Sequence, residues 1–147
     1  MNDPARRSPC ADKADTTNTS STARWSVGGL FLEAIAERAF TRMAACFAPS
    51  ATMRALLPSG PTEFHGVTQI VDRFQHWFGD AERFEVLDGT VGDIGNRLHI
   101  SWRLHLRPAP WDDDRWHVLE QQAYARASER IDTLDLLCSG LMPDQHR

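Results

Sequence analysis

The stretch RLHISWRLHLR, residues 97–107, decides how this chain folds. Leu98, Ile100, Trp102, Leu104 and Leu106 alternate with His99, Ser101, Arg103, His105 and Arg107. A strict period of two sends alternate side chains to opposite faces, so this run is a strand with one buried and one polar face. Upstream, Gly95-Asn96 forms a tight turn out of RFEVLDGTVGDI (83–94) and so makes a hairpin. Downstream, a segment with Pro108, Pro110 and the acidic WDDD (111–114) leads to RWHVLEQQAYARA (115–127). A turn at 128–130 then returns the chain into IDTLDLLCSG (131–140). The C-terminal half is therefore a run of antiparallel strands.

The N-terminal half reads as helix. In VGGLFLEAIAERAFTRMAACFA (27–48) apolar residues recur at Leu30, Phe31, Ala34 and Ile35, then at Phe40, Met43, Ala44 and Phe47. The phase slips near Ala39, which predicts two helical pieces at an angle, with Pro49 closing the second. ATMRALL (51–57) follows as a strand, with Met53, Ala55 and Leu57 on one face. Residues 58–66 read as a loop stiffened by Pro58 and Pro61. VTQIVDRFQHWF (67–78) is an amphipathic helix whose apolar face carries Val67, Ile70, Val71, Phe74, Trp77 and Phe78. Helices first and antiparallel strands after give an α+β plan, a curved sheet with helices on one face.

Composition narrows the function classes. The chain has 147 residues, a length that suits one domain with a real core. Sixteen basic against twenty acidic residues give a net charge of −4, so no overall positive field favours nucleic acid or anionic lipid. No apolar run is long enough to span a bilayer, and the opening residues lack a secretory apolar region, so the expected location is the cytoplasm. Cys10, Cys46 and Cys138 are odd in number and far apart, which argues against a disulfide framework or a zinc knuckle. No His/Asp/Glu set has metal-ligand spacing and no nucleotide-binding motif is present, so neither metal nor cofactor is expected. Residues 1–24 are poor in large apolar side chains and are expected to be a tail, with the domain over 25–142 and a short tail over 143–147.

Three passages carry a family resemblance: ACFAPSATMRALLPSG (45–60), FHGVTQIVDRFQHWF (64–78) and VLEQQAYARASERIDTLDLLCSG (118–140). Together with the order of elements, they make the chain resemble the SnoaL-like branch of the nuclear-transport-factor-2-like superfamily, over nearly all of 27–141. The resemblance implies a cone: a mixed, mostly antiparallel sheet wrapped around about three N-terminal helices, with an apolar pocket at the wide end. It implies as expected functions a polyketide cyclase, isomerase or dehydratase, or a protein that only binds or dimerises. Ketosteroid isomerase, a member with named catalytic groups, needs a carboxylate base and an oxyanion hole built from a tyrosine and a protonated aspartic acid. Its tyrosine position falls on Phe31, its base on Ala55 and its acid on Gln121. The isomerase's proton-shuttling apparatus is therefore missing.

The candidate ligand-binding residues follow from that comparison and from strand parity. They are Phe31, Met53, Ala55 and Leu57, the aromatic wall of Phe74, Phe78 and Trp102, and the polar pair His117 and Gln121. Gln121 is the best-placed interior polar group, an amide suited to orienting a ligand carbonyl or hydroxyl but not to abstracting a proton. A register slip of one would instead turn Glu120, Gln122 and Tyr124 inward. Glu63 and His65 are candidates for an acid/base pair at the pocket mouth; the stronger reading makes them a solvated pair leading into the helix at Gly66. The expected ligand is a small hydrophobic molecule, with catalysis left open, and the alternative is a non-catalytic ligand-binding or homodimerisation module. The expected partner surface is the outer sheet face, where Arg and His from 97–107 meet Asp132 and Asp135.

Overall fold

A computed structural model describes residues 22–107 and 115–144. The prolines at 108 and 110 and the acidic run at 111–114 lie outside the described residues, as do residues 1–21 and 145–147. Helix α1 spans 22–37 and so begins inside the expected tail. Its buried stripe is Val27, Phe31, Ala34 and Ile35, spaced i, i+4, i+7 and i+8. Leu30, expected inward, is exposed instead, because it lies at the edge of that stripe. Gly28 keeps the helix close to the sheet: a Cβ there would sit 2.9 Å from Val91.

The expected break between two helical pieces falls at Arg38, which adopts a left-handed φ of 51°. The Arg38 N–H donates to Ile35 O (3.0 Å) and the Ala39 N–H to Ala34 O (2.8 Å), the pair of bonds that closes a helix in the Schellman motif. Glycine usually takes this position. Here the arginine offsets its backbone cost by tying helices together: its Nη1 donates to Phe78 O at 3.1 Å and Ala81 O at 2.8 Å, and its guanidinium lies over the Phe84 ring. Helix α2 (Phe40–Ala45) follows at once.

Two boundaries differ from expectation. Strand β1 runs from Phe47 to Leu57, so Pro49 lies within it rather than closing a helix. The pairing of β1 shifts register between Phe47 and Thr52, which accommodates a proline that cannot donate to a ladder. The expected loop is also mostly strand: β2 (Gly60–His65) folds back on β1 as an antiparallel hairpin, with Arg54 opposite Glu63 and Thr52 opposite His65. Proline punctuation masked it, but an edge strand tolerates Pro61 because one side of its backbone has no partner. Gly66, at φ 88° and ψ 153°, then turns the chain into helix α3 (Val67–Phe78). Only glycine adopts that conformation without strain. Gln69 reaches back to accept the His65 N–H at 2.9 Å, satisfying a donor at the helix entry.

The remaining strands are β3 (Arg83–Ile94), β4 (Arg97–Arg107), β5 (His117–Ala127), β6 (Ile131–Cys138) and the two-residue β7 (Met142–Pro143). The sheet order is β2-β1-β6-β5-β4-β3, with β7 pairing the start of β5. All pairs are antiparallel except β1 with β6, which is parallel. This is the expected α+β architecture, a curved and unclosed sheet wrapped around three helices.

Candidate functional site

The concave face of the sheet and the helices share one core. Leu98, Ile100, Trp102, Leu104 and Leu106 are all buried, as the alternation predicts. Phe31 stands at the centre, its ring 5.7 Å from Phe47, 5.7 Å from Phe74 and 5.6 Å from Trp102, each near edge-on. Phe74 in turn meets Trp77 and Phe78. Edge-to-face pairs each add about 0.5–1.5 kcal/mol to the area buried, so this cluster is a substantial share of the fold's cohesion.

Among the described residues, the buried polar side chains are Gln121 and His105. Gln121 is 1% exposed and faces inward, so the register is the expected one and the one-residue slip is excluded. Its Oε1 accepts the Trp102 Nε1–H at 2.8 Å and its Nε2 donates to Cys138 Sγ at 3.3 Å. Phe31, Trp102 and Gln121 thus form a continuous chain of contacts. Ala55 faces the same interior from β1 and belongs to the same core, with Met53, Phe74 and Phe78. The three positions compared with ketosteroid isomerase therefore share one apolar interior, and what they bring to it is a phenyl ring, a methyl group and an amide.

The other candidates lie at its margins. Leu57 and His117 are half-buried at the strand ends, and His117 Nδ1 lies 3.0 Å from the backbone oxygen of Arg115. Glu63 and His65 are exposed on β2, with Glu63 Oε2 3.6 Å from His65 Nε2, facing solvent rather than the interior. His105 departs from expectation. Placed by parity on the polar face, it is 2% exposed there, covered by the ring of Trp116. No periodicity argument could have found it, because its cover comes from outside the strand.

The outer face of the sheet is polar at its rim and apolar at one ridge. Arg54 donates to both carboxylate oxygens of Asp135 (2.8 and 3.0 Å), and Arg97 adds a third bond at 2.9 Å. The Arg54 guanidinium above all holds the Asp135 carboxyl below its ordinary range; burial opposes it, and the bond from Arg97 adds to the lowering. Asp132 is exposed on the same strand but makes no part of this network. Arg103 lies 3.4 Å from Glu120, and His99 pairs with Gln122 while lying against the Tyr124 ring. Beside this network Leu56 and Leu137 are register partners, 51% and 47% exposed. Shallow clefts of about 430 and 450 Å³ flank them, one toward Glu120 and Ser139, the other toward Glu63. Among the described residues no group of three or more His, Cys, Asp or Glu side chains is placed to hold a metal ion, and no helix is long and apolar enough to cross a membrane.

No family model and no curated protein matches the chain in sequence. Solved structures match it in shape. A SnoaL-like polyketide cyclase assignment from Shewanella putrefaciens is 9% identical, covers 78% of this chain and 88% of its own, and superposes with a TM-score of 0.61. An LEH-like epoxide hydrolase from M. tuberculosis is 15% identical over 80% of this chain and 84% of its own, at 0.60. An NTF-2-like protein of unknown function from Burkholderia xenovorans is 14% identical over 82% and 85%, at 0.57. Helices cradled in a bent, open sheet, and this set of neighbours, identify the fold as the nuclear-transport-factor-2-like cone shared with SnoaL-like proteins.

Proposed function

We propose that this protein is a non-catalytic module of the cone fold that works as a homodimer through its outer sheet face. The observation that carries the reading is the exposed Leu56–Leu137 pair set within a charge-balanced surface. Arg54, Arg97 and Arg103 share that surface with Glu63, Asp135 and Glu120. A two-fold axis brings a patch against itself, so a surface carrying both signs around an apolar centre suits a second copy of the chain. Its extent is comparable with what is needed: six strands of 6 to 12 residues, about 4.8 Å apart and averaging about 32 Å, present roughly 770 Å², part of it covered by Trp116 and Asp144, against about 800 Å² per partner in a standard interface. The interior supports the non-catalytic part, since its described polar group on the concave face is an amide engaged with Trp102 and Cys138. Light scattering during size-exclusion chromatography tests this directly. The wild type is expected to run as a dimer and Leu137→Glu as a folded monomer, since a carboxylate buried opposite its own copy repels. A wild type that stays monomeric at high micromolar concentration refutes the reading.

A second reading has its own observation. The buried Gln121 amide, bonded to Trp102 and Cys138, retains one N–H and one carbonyl lone pair beyond those two bonds. A small hydrophobic molecule with a carbonyl or hydroxyl would pair with them, as a substrate of a cyclase, isomerase or dehydratase or as a bound ligand. The polyketide cyclase and epoxide hydrolase descriptions of neighbouring structures lend it support. Native mass spectrometry of the purified protein tests it through a co-purifying ligand, and Gln121→Leu would weaken such binding by about 1–3 kcal/mol. Unchanged affinity in the folded variant removes Gln121 from the site.

A further inference from the structure

His105 has no role in either reading, yet its surroundings are unlike those of any other histidine described. Its Nδ1 lies 2.8 Å from Glu85 Oε1 on β3. On the other side of the ring, Nε2 lies 3.0 Å from Asp144 Oδ2, an ion-pair contact off the hydrogen-bond axis. Trp116 stacks on the ring at 4.1 Å between centroids and 21° between planes. The carboxylates come from distant parts of the chain. Asp144 directly follows β7, which pairs with the first residues of β5 (Val118 with Met142, His117 with Pro143), and its own N–H donates to Trp116 O at 2.9 Å. The same short C-terminal segment is thus attached twice, once by backbone bonds to β5 and once through His105 to β3 and β4.

The geometry points to a proton-dependent clasp: His105, as an imidazolium between Glu85 and Asp144, fastens the β7 segment alongside β5 and loosens it on losing the proton. The chemistry is a count of hydrogens. An imidazolium donates through Nδ1 to Glu85 and sets its positive charge, with no bare lone pair, 3.0 Å from Asp144 Oδ2. A neutral ring presents one N–H and one lone pair, and the lone pair repels whichever carboxylate it faces. Among the described residues, the other charges near the ring do not reverse this. On its own strand, Arg103 is engaged with Glu120 and Arg107 approaches Glu82. Arg83 lies opposite Arg107 on β3, and Arg115 precedes Trp116. From β5 the facing residue is Val118, and β7 itself brings Met142 and Pro143, all uncharged.

The test is amide hydrogen exchange of the full chain, from about pH 5 to about pH 8, corrected for the intrinsic pH dependence of exchange. Protection of the Asp144 and Val118 amides is expected to fall about tenfold across that span, the low end for a charge-assisted hydrogen bond, while the β4 amides keep theirs. Glu85→Gln and Asp144→Asn, changes at partly exposed positions that leave the core intact, are expected to remove that pH dependence. Nitrogen NMR of the ring is expected to show both nitrogens protonated at the acid end. Overturning results are a ring with one bare nitrogen at every pH, or Asp144 protection that does not respond to pH or to either variant.

Discussion

Replacing Gln121 with leucine separates a structural amide from a ligand-binding one. The variant keeps the side chain's bulk and removes both of its polar atoms. The Trp102 indole N–H, 2.8 Å from Gln121 Oε1 and 1% exposed as a residue, then has no acceptor, and water cannot reach it. An orphaned buried donor costs about 1–3 kcal/mol. The Cys138 sulfur is a weak acceptor at 3.3 Å and loses little. Added apolar contact offsets part of the loss, leaving a net of about 1–2 kcal/mol, or a fall of about 4–8 °C in Tm for a domain of this size. A double-mutant cycle with Trp102→Phe sharpens the assay. Each single change strands one partner and the double change strands neither, so the double variant should be more stable than the sum predicts by about 1 kcal/mol. Urea unfolding followed by tryptophan fluorescence measures all four corners, with circular dichroism as a check because the cycle removes one indole. Strict additivity together with an unchanged Tm in Gln121→Leu would refute the argument that this bond anchors the interior.

Two further outcomes follow from specific contacts. Arg38→Ala loses its bonds to Phe78 at the end of α3 and to Ala81 just beyond it, and is expected to destabilise the fold by about 2 kcal/mol; Arg38→Gly loses the same bonds but relieves the left-handed backbone, and should cost about 1 kcal/mol less. Equal losses would mean that the φ of 51° carries no strain. Asp135, whose folded carboxyl titrates below its unfolded value, contributes stability that is present at neutral pH and lost as pH falls through the folded value. The stability gap between wild type and Asp135→Asn is therefore expected to narrow as denaturation is moved from neutral toward strongly acid pH. A gap that holds constant would show that the Arg54–Asp135–Arg97 cluster contributes no net charge interaction.

What could be read from the sequence is what repeats locally. The period of two in 97–107, the helical stripe in 67–78 and the Gly95-Asn96 turn give elements whose identity and inward faces match the structure. Periodicity reports the one face an element turns to the core, and that is set by each residue's neighbours along the chain. Strand β2 escaped because Pro58 and Pro61 read as loop, and only β1 lying alongside makes an edge strand of 60–65. Leu30, read as inward, is exposed, and Val27 joins the buried stripe, because stripe edges depend on where the sheet ends beneath the helix. The amide of Gln121 was visible as an inward position, but not its bonds to Trp102 and Cys138, which come from strands on either side. His105 was least accessible of all: its burial is made by Glu85, Trp116 and Asp144, and no pattern within one strand encodes groups that only the folded sheet brings together.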